Sequence, residues 1–275
     1  MNVLHTTLQN ALEQIQGVHP LLHCISHIVT ANDCANLALA IGASPIMAQE
    51  PQEMPQIAAL AKAVILNTGT PDEAKFQAAA IAGKTANRLH IPVILDPVGI
   101  GASTWRLNHI HDLLSQVHPD ILRVNLGEAR ALLGQTGTEH GVDSLESFRH
   151  TETDFCAKEL ANALHTVVLL SGEEDLVTDG IRLKRISGGS PLTRSVTGAG
   201  CMLSVLCGAF ASIETTFLEA TPESASSQPD YYSSACLAAH FWKLCAETAA
   251  QTASTPGSFH VGLFDAAYKL SIFNE

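Results

Sequence analysis

Residues 195–210 read SVTGAGCMLSVLCGAF, placing Gly198, Ala199 and Gly200 directly before Cys201 and an apolar run at helical spacing. Such a loop lets backbone N–H groups converge on one point. A helix starting there adds its own unpaired N–H groups and the positive end of its dipole. The chemistry on offer is an anion hole for a phosphoryl group in transfer. A side chain at position 201 would project beside that hole, and a thiol at a helix N-terminus is expected to ionise more readily than usual. Taken alone, the same loop serves equally well to pack a helix on a sheet, with Cys201 as a small core residue.

Two further stretches offer compatible groups. LDPVGIGASTWR (95–106) puts Asp96 at the end of a predicted buried strand, followed by Pro97, Gly99 and Gly101. In an open α/β sheet ligands bind at that strand end, and a carboxylate there can hold water on Mg²⁺; it can also simply cap the next turn. RVNLGEAR (123–130) puts Arg123 and Asn125 at another strand end, with Glu128 one helical turn beyond Asn125. An Asn/Glu pair can orient a hydrated magnesium and an arginine can meet phosphate oxygens. Asn125 with a first-turn acid is also an ordinary helix N-cap. Coincidence accounts less well for three such strand ends than for one.

The elements that must position these groups follow from the pattern of apolar residues. KAVILN (62–67), PVILD (92–96), DILRVN (120–125) and TVVLLSG (166–172) are continuous apolar runs, as in strands buried on both faces. PLLHCISHIVT (20–30) reads as a first strand and SPIM (44–47) as a short one. Helices are expected over 6–16, after Thr30 with Asp33 completing a capping box, and after Thr70 as cap with Pro71 and Glu73 behind it. Two more fall near 126–134 and 155–164. EDLVTDGIRLKRISGG breaks the alternation as a hairpin turning at Asp179-Gly180. The expected fold class is therefore α/β, a mostly parallel central sheet with helices on both faces, in a single domain over residues 1–275.

Composition excludes some functions. The 275 residues carry a net charge of -12 and are 46% hydrophobic. An acidic surface repels phosphate backbones, so nucleic acid is not an expected partner. Seven cysteines, an odd number without CxxC spacing, read for the most part as reduced, buried thiols of a cytoplasmic protein. No signal peptide and no membrane-spanning run is expected. The 13 histidines show no metal-binding pattern. Trp105 and Trp242 are expected to anchor packing.

The stretches PLLHCISHIVTANDCANLALAIGASPIM, LDPVGIGAS, RVNLGEA, GVDS and VTGAGCML together resemble the hydroxyethylthiazole kinases of thiamine salvage, over nearly the whole chain. The cysteine after the glycine loop is that family's own variant, where most ribokinase-like relatives have a general-base aspartate. The resemblance implies a ribokinase-like three-layer sandwich, with ATP- and Mg²⁺-dependent phosphorylation of the primary alcohol of 4-methyl-5-(2-hydroxyethyl)thiazole. It also implies a homotrimer with substrate at subunit boundaries. On this mapping Met47 and Gly198 meet the thiazole, and Arg123, Asn125 and Ser171 meet ATP. Asp96 and Glu128 serve magnesium, and Cys201 takes the position of the base. The chain departs from the family at His27, where ISH replaces the usual ITN, and over 214–230, which reads as a surface insertion. His27 keeps a second acceptor in view, such as a hydroxymethylpyrimidine. A nucleotide-dependent dehydratase and a non-catalytic thiazole- or nucleotide-binding relative are the remaining alternatives.

Overall fold

The computed structural model describes residues 3–135, 146–213 and 229–272. The apolar runs become strands of one sheet: β1 (Leu21–Ile25), β2 (Ser44–Ile46), β3 (Ala63–Asn67), β4 (Val93–Asp96), β5 (Ile121–Asn125), β6 (Val167–Ser171), β7 (Asp175–Thr178) and β8 (Leu183–Ile186). Their order is β2-β1-β3-β4-β5-β6-β7-β8. Every pairing from β2 to β6 is parallel, and β7 and β8 are added antiparallel.

Helices cover both faces, which is why the central strands carry no polar alternation. One face holds α1 (Val3–Val18), α2 (Ala31–Ala40), α8 (Ala199–Ala211), α9 (Tyr231–Ala250) and α10 (Pro256–Ser271). The other holds α3 (Met54–Leu60), α4 (Glu73–Arg88), α5 (Thr104–Leu114), α6 (Leu126–Leu132) and α7 (Glu146–Leu164). Alternate residues of β3 divide between the two cores: Ala63 and Ile65 pack towards α8, Val64 and Leu66 towards α4. Helix α8 lies so close that a Cβ on Gly208 would come within 2.6 Å of Ile65 Cδ1. This is the expected three-layer α/β architecture.

Register gathers the chemistry at one edge. Asn67 of β3 pairs with Asp96 of β4, and Asn125 of β5 pairs with Ser171 of β6. Strands β2 and β3 flank β1 on opposite sides, so the crevice between the β1 and β3 ends is the topological switch point where ligands bind in open sheets.

Local expectations fared unevenly. Strand β1 stops at Ile25 rather than running to Thr30, because the chain turns: the Thr30 amide donates to the His27 carbonyl at 3.0 Å. Thr30 does precede α2, but its hydroxyl bonds to the His27 carbonyl instead of capping. The cap of α4 is Asp72, which accepts from the Lys75 amide at 2.7 Å. Thr70 sits at φ 47° outside the helix, its hydroxyl turned onto the Gly69 carbonyl. Helix α7 starts at Glu146, more than two turns before the expected 155. The hairpin turns as expected: Gly180 has φ 93°, and Asp179 Oδ1 accepts from the amides of Ile181 and Arg182. The GVDS motif (141–144) and all but the end of the 214–230 segment lie outside the described residues.

Candidate active site

Gly198 precedes α8 at φ 80°, a left-handed conformation that disfavours any Cβ, and a Cβ there would lie 2.5 Å from Thr30 Cγ2. The turn aims the first amides of α8 outward. The Met202 amide already closes onto the Gly198 carbonyl at 2.9 Å. Ahead of it, the amides of Ala199, Gly200 and Cys201 find no acceptor among the described residues, as expected of a helix start. Ala199 and Gly200 line a cleft of about 390 Å³ that also takes in Arg123, Ser171, Gly172, Pro191, Arg194 and Trp242.

Asp96 is wholly buried at the end of β4. Its Oδ2 accepts from Asn67 Nδ2 at 2.9 Å and from Ser204 Oγ at 2.7 Å, and its Oδ1 faces Arg123 Nη1 at 3.3 Å. Arg123 Nη2 donates to Ser171 Oγ at 2.6 Å, while its buried Nε has no partner among the described residues. Burial works against the guanidinium charge, but Asp96 and then Glu128 outweigh it and hold Arg123 more firmly protonated than usual.

Asn125 and Glu128 form a reciprocal capping box on α6. Asn125 Oδ1 accepts from the Glu128 amide, and Glu128 Oε2 from the Asn125 amide, both at 2.9 Å. Glu128 Oε1 accepts from the Gly99 amide at 3.0 Å, with Gly99 at φ 67°. Burial, and next the neighbouring Asp96, raises the proton affinity of Glu128 above the ordinary carboxylate range. The pair is thus a helix cap and an electrostatic device at once. Among the described residues no three His, Cys, Asp or Glu side chains form a ready-made metal cage. Mg²⁺ commonly needs only one or two carboxylates beside waters and substrate phosphates. Asp96 and Glu128 have the donor chemistry of such a site: beyond the larger effect of burial, the Asp96 charge raises the proton affinity of Glu128, and a cation between them would oppose that.

Cys201 is buried, at 8% exposure. Burial, then Asp96, pushes its thiol above the ordinary value, and the Thr30 and Asn67 side chains and Arg123 only partly oppose this. The expected easy ionisation is therefore corrected: burial and the neighbouring Asp96 shift the Cys201 thiol up, not down. All seven cysteines are free and buried, as expected of packing thiols.

The switch-point side holds the other candidates. His27, half-buried, lies against Gly69: a Cβ there would fall 1.8 Å from His27 Cδ2. Its Nδ1 accepts from the Val29 amide at 3.1 Å. Burial and the nearby Lys75 lower its proton affinity. Met47 follows β2 and packs, half-buried, on the core under α8. Lys75 had not been singled out. Its buried Nζ donates to the Ser26 carbonyl at 2.8 Å and the Gly69 carbonyl at 2.7 Å, tying together the two loops of the switch point. Trp105 packs edge-on against Phe76 with ring centroids 5.6 Å apart, as expected, whereas Trp242 is buried and also lines the cleft.

A mostly parallel sheet with a glycine-led helix start, an arginine and two acidic groups at its strand ends has the architecture of a ribokinase-like small-molecule kinase. The comparisons are more specific. The profile of the hydroxyethylthiazole kinase family matches residues 12–273, and the chain belongs to that family. Hydroxyethylthiazole kinases of Methanosphaerula palustris and Lysinibacillus sphaericus are 41% and 38% identical to it, each over 94% of this chain and over 91% and 95% of their own length. The hydroxyethylthiazole kinase structure from Pyrococcus horikoshii superposes with a TM-score of 0.83 at 34% identity, covering 98% of this chain and 94% of that one. A ribokinase-like protein of Enterococcus faecalis shares the fold at 10% identity, with a TM-score of 0.64 over 95% and 94% of the two chains.

Proposed function

We propose that this chain, as one kinase domain, transfers the γ-phosphoryl group of ATP to the primary alcohol of 4-methyl-5-(2-hydroxyethyl)thiazole. The observation that carries the reading is the start of α8, where the amides of Ala199, Gly200 and Cys201 are unclaimed among the described residues and Ala199 and Gly200 line the cleft with Arg123. Phosphoryl transfer passes through a loose transition state with charge on the equatorial oxygens, so a fixed set of donors is what such a reaction needs. Arg123, held by Asp96 and Ser171, would meet the phosphates of ATP, with Asn125 and Ser171 close by. Asp96 and Glu128 would hold Mg²⁺, which neutralises phosphate charge when bound. Met47, His27 and Gly198 would frame the thiazole at the switch point.

The alcohol oxygen attacks the γ-phosphorus in line, the bond to the ADP oxygen breaks, and the hydroxyl proton passes late to an oxygen of the transferred phosphoryl group. Cys201 stands where a base would stand, but burial and Asp96 make its thiol harder to ionise, so its part is to orient the hydroxyl more than to deprotonate it. A homotrimer with sites at subunit boundaries and a cytoplasmic location belong to the same reading. Among the described residues no helix is long and apolar enough to cross a membrane.

The test is ³¹P detection of thiazole phosphate and ADP from thiazole alcohol and MgATP, alongside a hydroxymethylpyrimidine. Thiazole phosphate as the preferred product is expected. Preference for the pyrimidine would move the acceptor assignment, and tight ligand binding without turnover of any alcohol would replace the kinase by a binding protein.

A further inference from the structure

Helix α9 carries two polar side chains one turn apart: Lys243, which lines the cleft, and Glu247 beside it. Lys243 Nζ donates to the carbonyls of Gly172 at 3.2 Å and Glu173 at 2.8 Å, and pairs with Asp175 Oδ1 at 3.3 Å. The same Oδ1 accepts from the Gly172 amide at 2.9 Å. Asp175 is 2% exposed and its Oδ2 has no partner among the described residues, so Lys243 is the cation that makes this buried carboxylate tolerable. These bonds fix the bend between β6 and β7, directly after Ser171, the residue that holds Arg123.

Glu247 works on the opposite wall. Its Oε1 accepts from the Gly189 amide at 3.0 Å. Gly188 and Gly189 have φ of 110° and 87°, and a Cβ on Gly188 would fall 2.3 Å from that same oxygen. Neither the 172–174 bend nor the 187–190 segment is helix or strand. Both segments are therefore tied to one helix, whose Trp242 and Ala246 also line the cleft.

We propose that Lys243 and Glu247 are positioning residues for the nucleotide: α9 sets the width of the cleft and, through Ser171, the placement of Arg123. This rests on reading the cleft as the nucleotide site. The ligand class is a nucleoside triphosphate, its flat base over Trp242 and Ala246 and its phosphates towards Gly200 and Arg123.

The test is calorimetric titration of the full chain with MgATP, with kinetics on thiazole alcohol in parallel. Lys243→Met and Glu247→Ala are each expected to raise the Kd for MgATP about tenfold, the scale of one charge-assisted bond. The KM for the alcohol should stay within about twofold, since a tenfold change corresponds to a whole lost bond. Glu247→Gln, whose amide oxygen still accepts from Gly189, should restore the wild-type Kd. Because Lys243→Met strands Asp175, the double variant Lys243→Met/Asp175→Asn checks the fold; by circular dichroism it should be native, with Kd still raised. Wild-type Kd in the folded variants, or a parallel rise in the KM for the alcohol, overturns the proposal. Absence of MgATP binding to the wild type removes both the nucleotide reading and the proposal. If MgATP binds but no alcohol is phosphorylated, the acceptor assignment falls, and the Kd series still decides this proposal.

Discussion

The guanidinium of Arg123 lies against the backbone of Gly200: a Cβ on that glycine would sit 2.3 Å from Nη2 and 2.5 Å from Cζ and Nη1. The glycine is needed here for proximity, not for a left-handed turn. It lets a cation rest against the amides that would receive the phosphoryl group, so charge and dipole act on one point. Gly200→Ala must push Arg123 off Asp96 and Ser171. Loss of kcat/KM on the order of 10²-fold is expected, the scale of one misplaced transition-state donor. Circular dichroism and thermal melting should show a folded protein. An alanine variant with wild-type kinetics would separate Arg123 from the reaction.

Gly198 and Cys201 should differ in what they tolerate. Gly198→Val combines a positive φ with a clash on Thr30, so the helix start cannot form and activity should vanish. Cys201→Ser keeps the backbone donors and should retain a measurable fraction. Equal and total loss in both would mean that the thiol, not the amide row, carries the rate.

The ionisation of Cys201 can be followed directly. Since burial and Asp96 hold the thiol above its ordinary value, alkylation mapped to Cys201 by mass spectrometry should still be accelerating above about pH 9, past an ordinary free cysteine. A plateau near neutral pH would show a thiolate and reinstate the base role.

His27 is expected to couple the acceptor site to pH. Burial and Lys75, with Arg106 behind them, disfavour its protonated form, and Asp96 only partly compensates. A histidine whose folded-state pKa is depressed contributes stability above its unfolded pKa of about 6.5 and loses it as the pH falls through the folded value. Between neutral pH and pH ~5.5, below that reference value, the KM for the alcohol should therefore rise and thermal stability should fall. In His27→Asn both profiles should flatten while the KM for ATP holds. An unchanged pH profile in the variant would place the titrating group elsewhere.

Much of this arrangement was legible in the sequence because it rests on backbone pattern. Continuous apolar runs can be buried only between two helical layers, and strand ends followed by glycines mark where groups converge. Hence Asp96, Arg123, Asn125, Glu128 and the 198–201 loop stand out in the sequence, and the structure bonds Arg123 to Asp96 and Asn125 to Glu128. Asn67 obeyed the same strand-end rule and was passed over beside more reactive neighbours. Ser204 was visible only as a lone hydroxyl in an apolar helix. Lys243 and Lys75 left no sequence signal, because their partners are carbonyls and a carboxylate far along the chain. The thiol of Cys201 differs from the sequence expectation for a related reason: a helix terminus is a local feature, whereas its burial comes from the packed layers and its neighbouring charge from Asp96 on another strand.

Lys75 gives the most demanding test, since it touches no candidate catalytic group and holds only loops. Its amine is buried, burial lowers its proton affinity, and its close acceptors are the carbonyls of Ser26 and Gly69. One loop carries His27 and leads to Thr30, whose methyl abuts Gly198; the other follows Asn67, which holds Asp96. Lys75→Met keeps the stem and removes the donors. Each carbonyl left unpaired costs about 1–3 kcal/mol, so the melting temperature should drop by several degrees. The loosened loops should raise the KM for the alcohol well above any change in the KM for ATP. If the variant melts lower but both KM values are unaltered, Lys75 is a fold residue only and the switch-point crevice is not where the alcohol binds.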